Sequence, residues 1–344
     1  MTSSHLLPAD MLATAITAPG GPEQLLPKRF PLPEIGPGDI LIRVAAAGVN
    51  GPDLAQRRGH YDPPPGASPL PGLEVAGIVV ALGDEVTNHQ LGASVMALTN
   101  GGGYAEYVAV PAGQALPLPG GWSFAEAAAL PETWFTVTQT LVMRAGLSRG
   151  MSVLVHGASG GIGGAAIQIA TLLGAKAIGV TSSPQKADYA MALGAIATID
   201  RGEDIAARVL ELTDGRGVDR VVDVIGGAMA AGNVAASARN GHIVLISTLE
   251  GGTAPVPLRQ MMAKGLTLSG STLRPQDSAT KRAIAERVGA FLPALASPSW
   301  RKPDIAIFEM EKASEAHAAM EGRGHIGKLV LLTPYGRERA ADLS

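Results

Sequence analysis

Val153–Ala170 reads VLVHGASGGIGGAAIQIA. An apolar run ending at His156 meets Gly157, Gly160, Gly161 and Gly163, and an apolar pattern of helical spacing follows. Glycines at a strand-to-helix turn permit tight reversal and let backbone amides approach a ligand closely. The helix N-terminus behind them offers positive potential to an anion, so the pattern suits a pyrophosphate. Gly157, Ser159, Gly160, Gly161 and Ile162 are the candidates for that contact. The spacing is G-x-x-G-G-x-G rather than strict G-x-G-x-x-G, so the turn alone is only moderately specific. The competing reading, a glycine-rich turn with no ligand, is weakened by what surrounds it.

Residues 150–274 alternate: strand 152–156 and helix 161–173, strand 177–182 and helix 184–193, strand 219–225 and helix 228–239, then strand 242–247. Such alternation predicts βαβ units, a parallel doubly wound sheet and an α/β fold of the Rossmann kind. The end of the second strand then selects the dinucleotide. A carboxylate there would hold a ribose 2′-hydroxyl. In IGVTSSPQKADY (178–189) the first acid is Asp188, well past the strand end; Thr181, Ser182, Ser183 and Lys186 stand there instead. Hydroxyls and a cation hold a 2′-phosphate that a carboxylate would repel, which favours NADPH over NADH. Ser182 and Ser183 also suit the cap of the next helix, and the two roles are compatible.

The 344-residue length predicts two domains. Gly and Pro cluster before residue 130, where DILIRVAAAGV (39–49), EVAGIVVALG (74–83) and GYAEYVAV (103–110) read as short strands of a barrel or sandwich. Residues 123–147 carry helical spacing and open on Ser123, three before Glu126, a capping-box pattern. Residues 276–296 read as one amphipathic helix and 304–334 as strand, helix, strand. With no cysteine, disulfides, thiolate zinc sites and a cysteine nucleophile are excluded. A net charge of −3 advertises no nucleic-acid face. No apolar run reaches the ~18 residues of a membrane span, and Met1–Asp10 lacks the features of a signal peptide, so a cytoplasmic protein is expected.

With these residues in hand, the chain resembles the zinc-free quinone oxidoreductases of the medium-chain dehydrogenase/reductase superfamily, especially the tumour-suppressor-inducible type. The likeness runs from about Met11 to Leu332 through APGGPEQL, AAGVNGPDLAQRRGHYDPPPGASPLPGLEVAG, GGGYAEYVAVP, AAALPETWFTV, GASGGIGGAAIQIA, VIGG, SGSTLRP and HIGKLVL. It implies a GroES-like β-rich catalytic domain, residues 1–127 and 275–344, and a Rossmann NADPH-binding domain, residues 128–274. Zinc-dependent relatives carry Cys where Asn50 stands and His-Glu where Leu73-Glu74 stand. That leaves too few good ligands for zinc, so the resemblance implies chemistry without a metal.

The resemblance also implies that the cofactor and acceptor meet between the domains, with Asn50, Asp53 and Tyr61 on the acceptor side. Tyr61 is the expected donor to a quinone or enone oxygen, although it equally suits loop packing, and Asp53 equally suits a fixed turn. Thr136, and Asn50 again, are expected near the nicotinamide and its ribose; Ile225 near the adenosine ribose; Ser247, Thr248 and Leu249 beside the nicotinamide; Ser271, Thr272 and Leu273 at the carboxamide; Lys328 near the nicotinamide half. Arg201 stands where many relatives have an Asn-Tyr pair, and is either a phosphate or adenine contact or a solvated charge. A homodimer paired through GLTLSGST (265–272) is implied as well. The expected activity is NADPH-dependent reduction of a quinone, by hydride or by single electrons. Reduction of an enone or enoyl thioester is the alternative, and a non-catalytic NADPH-binding protein the third possibility.

Overall fold

The computed structural model describes residues 7–341. Residues 1–6, part of the stretch assessed above for a signal peptide, lie outside the described residues. The chain divides into two units: one takes the residues through Glu132, Asp277–Pro298 and those from Asp304 onward; the other takes Thr133–Gln276 and Ser299–Pro303.

The second unit holds a six-stranded sheet in the order Ala197–Asp200, Lys176–Thr181, Ser152–Val155, Val218–Asp223, Ser237–Leu245, Thr267–Gly270. Every pairing is parallel. The first strand in sequence lies third in space, so the order reverses between Ser152–Val155 and Val218–Asp223, where doubly wound sheets open a crevice for ligands. Helices on a parallel sheet bury its strands on both faces, which explains the unbroken apolar runs. Leu154, Ile178, Ile199 and Val221 are fully buried in the core they form.

Two elements here carry weak sequence signals. The strand Ala197–Asp200 has four residues and the helix Ile205–Leu212 has eight, capped by Asp204, whose Oδ1 accepts the Ala207 amide at 3.0 Å. The helix expected over 228–239 stops at Ala236, and strand Ser237–Leu245 begins at once. Asn240, at φ 59°, bends that strand, and its polar start hides the period of two.

In the first unit, a seven-stranded sheet has the path Ile305–Glu309, Lys328–Leu332, Asp39–Val49, Glu74–Leu82, Ser94–Leu98, Ala115–Pro117; Tyr107–Pro111 also pairs with Asp39–Val49. A hairpin-like pair, Asp10–Ile16 with Leu25–Pro31, stands beside it. The C-terminal strand Lys328–Leu332 pairs antiparallel with the N-terminal Asp39–Val49, setting Leu329 opposite Val49. That register brings Lys328 to the residue after the strand, Asn50.

The capping box is present: Ser123 Oγ accepts the Glu126 amide at 3.2 Å and Glu126 Oε2 accepts the Ser123 amide at 2.7 Å. Instead of one helix, however, 123–147 forms Phe124–Ala127, Pro131–Val137 and a wide-turned stretch Thr138–Arg144. Pro131 restarts the helix, since its missing amide cannot continue the one before. The 276–296 helix likewise breaks into Ser278–Gly289 and Leu292–Leu295. Among the described residues no helix is long and apolar enough to cross a membrane.

Candidate active site

In the parallel-sheet unit the glycine turn runs from strand Ser152–Val155 into helix Gly161–Leu173. Gly157 has φ +63°, a left-handed conformation that suits glycine. A methyl group on Gly163 would lie 2.6 Å from Ala158 Cα, so only glycine lets the helix pack this close to the turn. At Gly160 the space is open: the nearest atom to an added Cβ is the Gly157 carbonyl at 3.5 Å. Gly160 caps the helix with no side-chain bond, leaving the first-turn amides for an anion. An open glycine edge at an uncapped helix start at the sheet's switch point fits a dinucleotide pyrophosphate.

Beneath the turn lies a buried polar chain. Asp223 Oδ1 accepts the Ile225 and Gly226 amides at 2.7 and 2.9 Å, and its Oδ2 accepts Asn233 Nδ2 at 2.8 Å. Asn233 Oδ1 then accepts from His156 Nε2 at 2.7 Å. Burial holds the His156 imidazole below its ordinary pKa and hence neutral, which suits a donor fixed in one tautomer. This network shapes the loop carrying Ile225. The Glu250 amide bonds the Ile225 carbonyl at 2.9 Å, tying the Ser247-Thr248-Leu249 loop to it.

At the end of strand Lys176–Thr181, Ser183 caps helix Pro184–Ala192 by accepting the Lys186 amide at 3.3 Å. Ser182 remains exposed, and Lys186 Nζ donates to its hydroxyl at 3.3 Å. Ser183 therefore serves the helix as its cap, while Ser182 is exposed and Lys186 half-buried beside it. Arg201 is exposed, and its amide donates to the Thr181 carbonyl at 2.8 Å, placing it at the same strand ends. Ser271 Oγ is buried without a partner, Thr272 is exposed and Leu273 is buried. Thr136 is buried, and its carbonyl accepts Thr140 Oγ1 at 2.7 Å.

The β-rich unit holds a second constellation. Glu74 is fully buried, and its Oε1 accepts Lys328 Nζ at 2.6 Å and Asn50 Nδ2 at 2.8 Å. Its Oε2 accepts the Glu132 backbone amide at 2.8 Å. Lys328 Nζ also reaches Asn50 Oδ1 at 2.5 Å and the Val49 carbonyl at 3.2 Å. A methyl on Gly48 would lie 2.6 Å from Glu74 Cδ, so glycine there makes room for the carboxylate.

Asp53 lies one turn further on, also fully buried. It accepts the Asn50 amide at 2.8 Å, closing the box at the start of helix Gly51–Arg57, and the Gly72 amide at 2.9 Å. Tyr104 Oη donates to it at 3.4 Å, and Tyr104 contacts His317 Nε2 at 3.0 Å. His317 Nδ1 faces Arg57 Nη1 at 3.2 Å, and Arg57 pairs with Glu321. Arginine only donates, so His317 accepts at Nδ1 and donates at Nε2, and the whole chain of donors points toward Asp53. Burial raises the Asp53 carboxyl to about 6, against the lowering pull of the Gly72 and Asn50 amides. Burial also drives His317 down to about 3, with Arg57 adding to the effect.

The structure thus gathers Asn50 and Lys328 in one cluster. Lys328, expected near the nicotinamide, is here the partner of Glu74. Asp53, expected on the acceptor side, has its oxygens committed to the loop. Tyr61 stands half-buried in the loop between Gly51–Arg57 and Glu74–Leu82. Sequence reasoning missed Glu132, Tyr104, His317 and the Asp223–Asn233–His156 chain. A charge inside an apolar run was the available signal for Glu132 in AALPETWFTV; distant partners such as Arg57 and His317, 260 residues apart, leave none.

Comparison with known proteins identifies the family. Residues 36–120 match the family described as alcohol dehydrogenase GroES-like domain, and residues 161–288 the one described as zinc-binding dehydrogenase. Among the described residues no group of three or more His, Cys, Asp or Glu is placed to hold a metal. The quinone oxidoreductase of Sus scrofa is 31% identical over 91% of this chain and 95% of its own. A solved quinone oxidoreductase of Pseudomonas syringae pv. tomato superposes with TM-score 0.82 at 32% identity, covering 94% of this chain and 99% of that one. A mycobacterial protein solved in complex with NADPH superposes with TM-score 0.83 at 30% identity, covering 94% and 100%. With its glycine turn and its reversed parallel sheet, and with Asn50 and Leu73 where zinc-dependent relatives carry Cys and His, the chain belongs to the zinc-free quinone oxidoreductase family of the medium-chain dehydrogenase/reductase superfamily, and is an oxidoreductase that works with a nicotinamide cofactor on a small molecule.

Proposed function

We propose that this protein is an NADPH-dependent, metal-independent reductase of quinones and related conjugated carbonyls. The observation that carries NADPH over NADH is exposed Ser182 beside half-buried Lys186 at the end of strand Lys176–Thr181, with no carboxylate in the Thr181–Lys186 stretch. A bound dihydronicotinamide supplies the hydride or the electrons. The chain does the rest. The first-turn amides at Gly161 and Ile162 hold the pyrophosphate beside Gly160, Ser182 and Lys186 hold the 2′-phosphate, and Arg201 adds positive charge beside them. Backbone around Ser247–Leu249 and Ser271–Leu273 orients the nicotinamide, and the unpartnered Ser271 hydroxyl is a ready donor there.

With a lysine paired to Glu74, stabilisation of negative charge on the acceptor falls to hydrogen-bond donors. Asn50 is pinned for this by its amide, its side-chain nitrogen and its side-chain oxygen. Two copies pair through the exposed edge strand Thr267–Gly270, which ends the parallel sheet; the working location is the cytoplasm. The test is steady-state kinetics with both cofactors. S182A/K186A should raise the KM for NADPH about tenfold or more, in line with about 1.5–3 kcal/mol for a charged hydrogen bond, and leave NADH unchanged. An equal effect on both cofactors would contradict the assignment.

A further inference from the structure

The carboxyl cluster of the β-rich unit contains three acids, and they are not equivalent. Glu74 is saturated by Lys328, Asn50 and the Glu132 amide. Asp53 is fully buried and takes two backbone amides and the Tyr104 hydroxyl. Both are built to be acceptors. Glu132 differs in two ways. Among the described residues its carboxyl takes no hydrogen bond and no ion pair, and the residue keeps 8% exposure where the other two have none. Its backbone, meanwhile, is fixed to Glu74, so the side chain starts from a rigid point.

We propose that Glu132 is the proton donor of the reaction, passing its carboxyl proton to the acceptor oxygen as negative charge develops there. This rests on the reductase function proposed above. The balance is simple. The cofactor's hydride, two electrons and one proton's worth of hydrogen, adds to the quinone. The resulting hydroquinone monoanion takes the Glu132 proton by forming an O–H bond, the Glu132 O–H bond breaks, and water restores the proton to the carboxylate. An enone needs the same single proton.

The surroundings hold that proton at neutral pH. Burial, together with the negative charges of Glu74 and Asp53, raises the Glu132 carboxyl to about 8 against the lowering pull of Lys328 and Lys281. Those four groups face it from strand Glu74–Leu82, helix Gly51–Arg57, strand Lys328–Leu332 and helix Ser278–Gly289. A catalytic acid works best with its pKa near the working pH. Glu132→Gln keeps the shape and removes the proton.

Two measurements test this. In the unliganded protein, infrared difference spectra across a pH titration should show a protonated-carboxyl band persisting to about pH 8 and missing from E132Q. In turnover with NADPH and a para-quinone, E132Q should lower kcat by about a hundredfold, the lower part of the range for general acid catalysis, and should erase the alkaline fall of the wild-type profile. A band that titrates in the ordinary carboxylate range overturns the proposal. So does an E132Q enzyme within twofold of wild type with its alkaline fall intact. A wild type that consumes NADPH with neither quinone nor enone overturns the reductase function and the donor role with it, while the infrared band still reports the proton separately.

Discussion

Lys328→Met offers the sharpest probe of the buried cluster. Lys328 Nζ bonds Glu74 Oε1 at 2.6 Å and Asn50 Oδ1 at 2.5 Å, with side-chain exposures of 4% for the lysine and 0% for the glutamate. Methionine matches the volume but leaves a carboxylate in a dry site beside Asp53 and Glu132. Breaking a buried pair from one side costs about 3–5 kcal/mol, because the remaining charge is uncompensated. The neighbouring Asp53 carboxylate, ionised at neutral pH, places the expected value at the upper end. E74Q/K328M should recover most of that loss, since glutamine carries no charge and its amide oxygen still accepts from Asn50 or the Glu132 amide. The assay is urea unfolding of wild type, both single variants and the double variant at neutral pH, read as a double-mutant cycle. A coupling of about 2 kcal/mol or more is expected for groups in one network. K328M within about 0.5 kcal/mol of wild type, the range of an ordinary surface substitution, would refute the account, as would a double variant no more stable than K328M.

Other expectations follow from single contacts. G163A places a methyl 2.6 Å from Ala158 Cα; overpacking of this kind costs about 1–3 kcal/mol, and dinucleotide affinity measured by calorimetry should fall with it. G48A should displace the Glu74 carboxylate, with its methyl also meeting the Ala128 carbonyl at 2.7 Å, and lower the unfolding temperature measured by calorimetry. His317 has a folded pKa of about 3 against an ordinary 6.5, so the unfolded chain binds the extra proton first and His317 costs stability as pH falls from 6.5 toward 3. Asp53 and Glu132, both raised, act in the opposite direction over their own ranges. The difference between wild type and H317Q in unfolding temperature against pH isolates the histidine, and a difference that is flat across pH would contradict the neutral, buried assignment.

The parallel sheet was legible because its signals are local. The glycine turn, the strand before it and helix Gly161–Leu173 lie within about two dozen residues, and the helix bounds came out as expected. The short strand Ala197–Asp200 and the helix Ile205–Leu212 escaped because four and eight residues are too few for their periods to stand out. The β-rich cluster was half legible. Asn50 and Lys328 were chosen through resemblance, but their meeting depends on the Leu329–Val49 register, a pairing across 280 positions that no local pattern encodes. Glu132 went unremarked because the surroundings that set it apart come from four groups on separate elements. The division of labour between Ser182 and Ser183 also needed coordinates, because both residue types cap helices equally well.

The central claim, an NADPH-dependent reductase, is tested most directly by following dihydronicotinamide absorbance with a simple para-quinone, NADPH beside NADH. The account predicts oxidation with a clear preference for NADPH, and loss of that preference in S182A/K186A. No oxidation of either cofactor would contradict it.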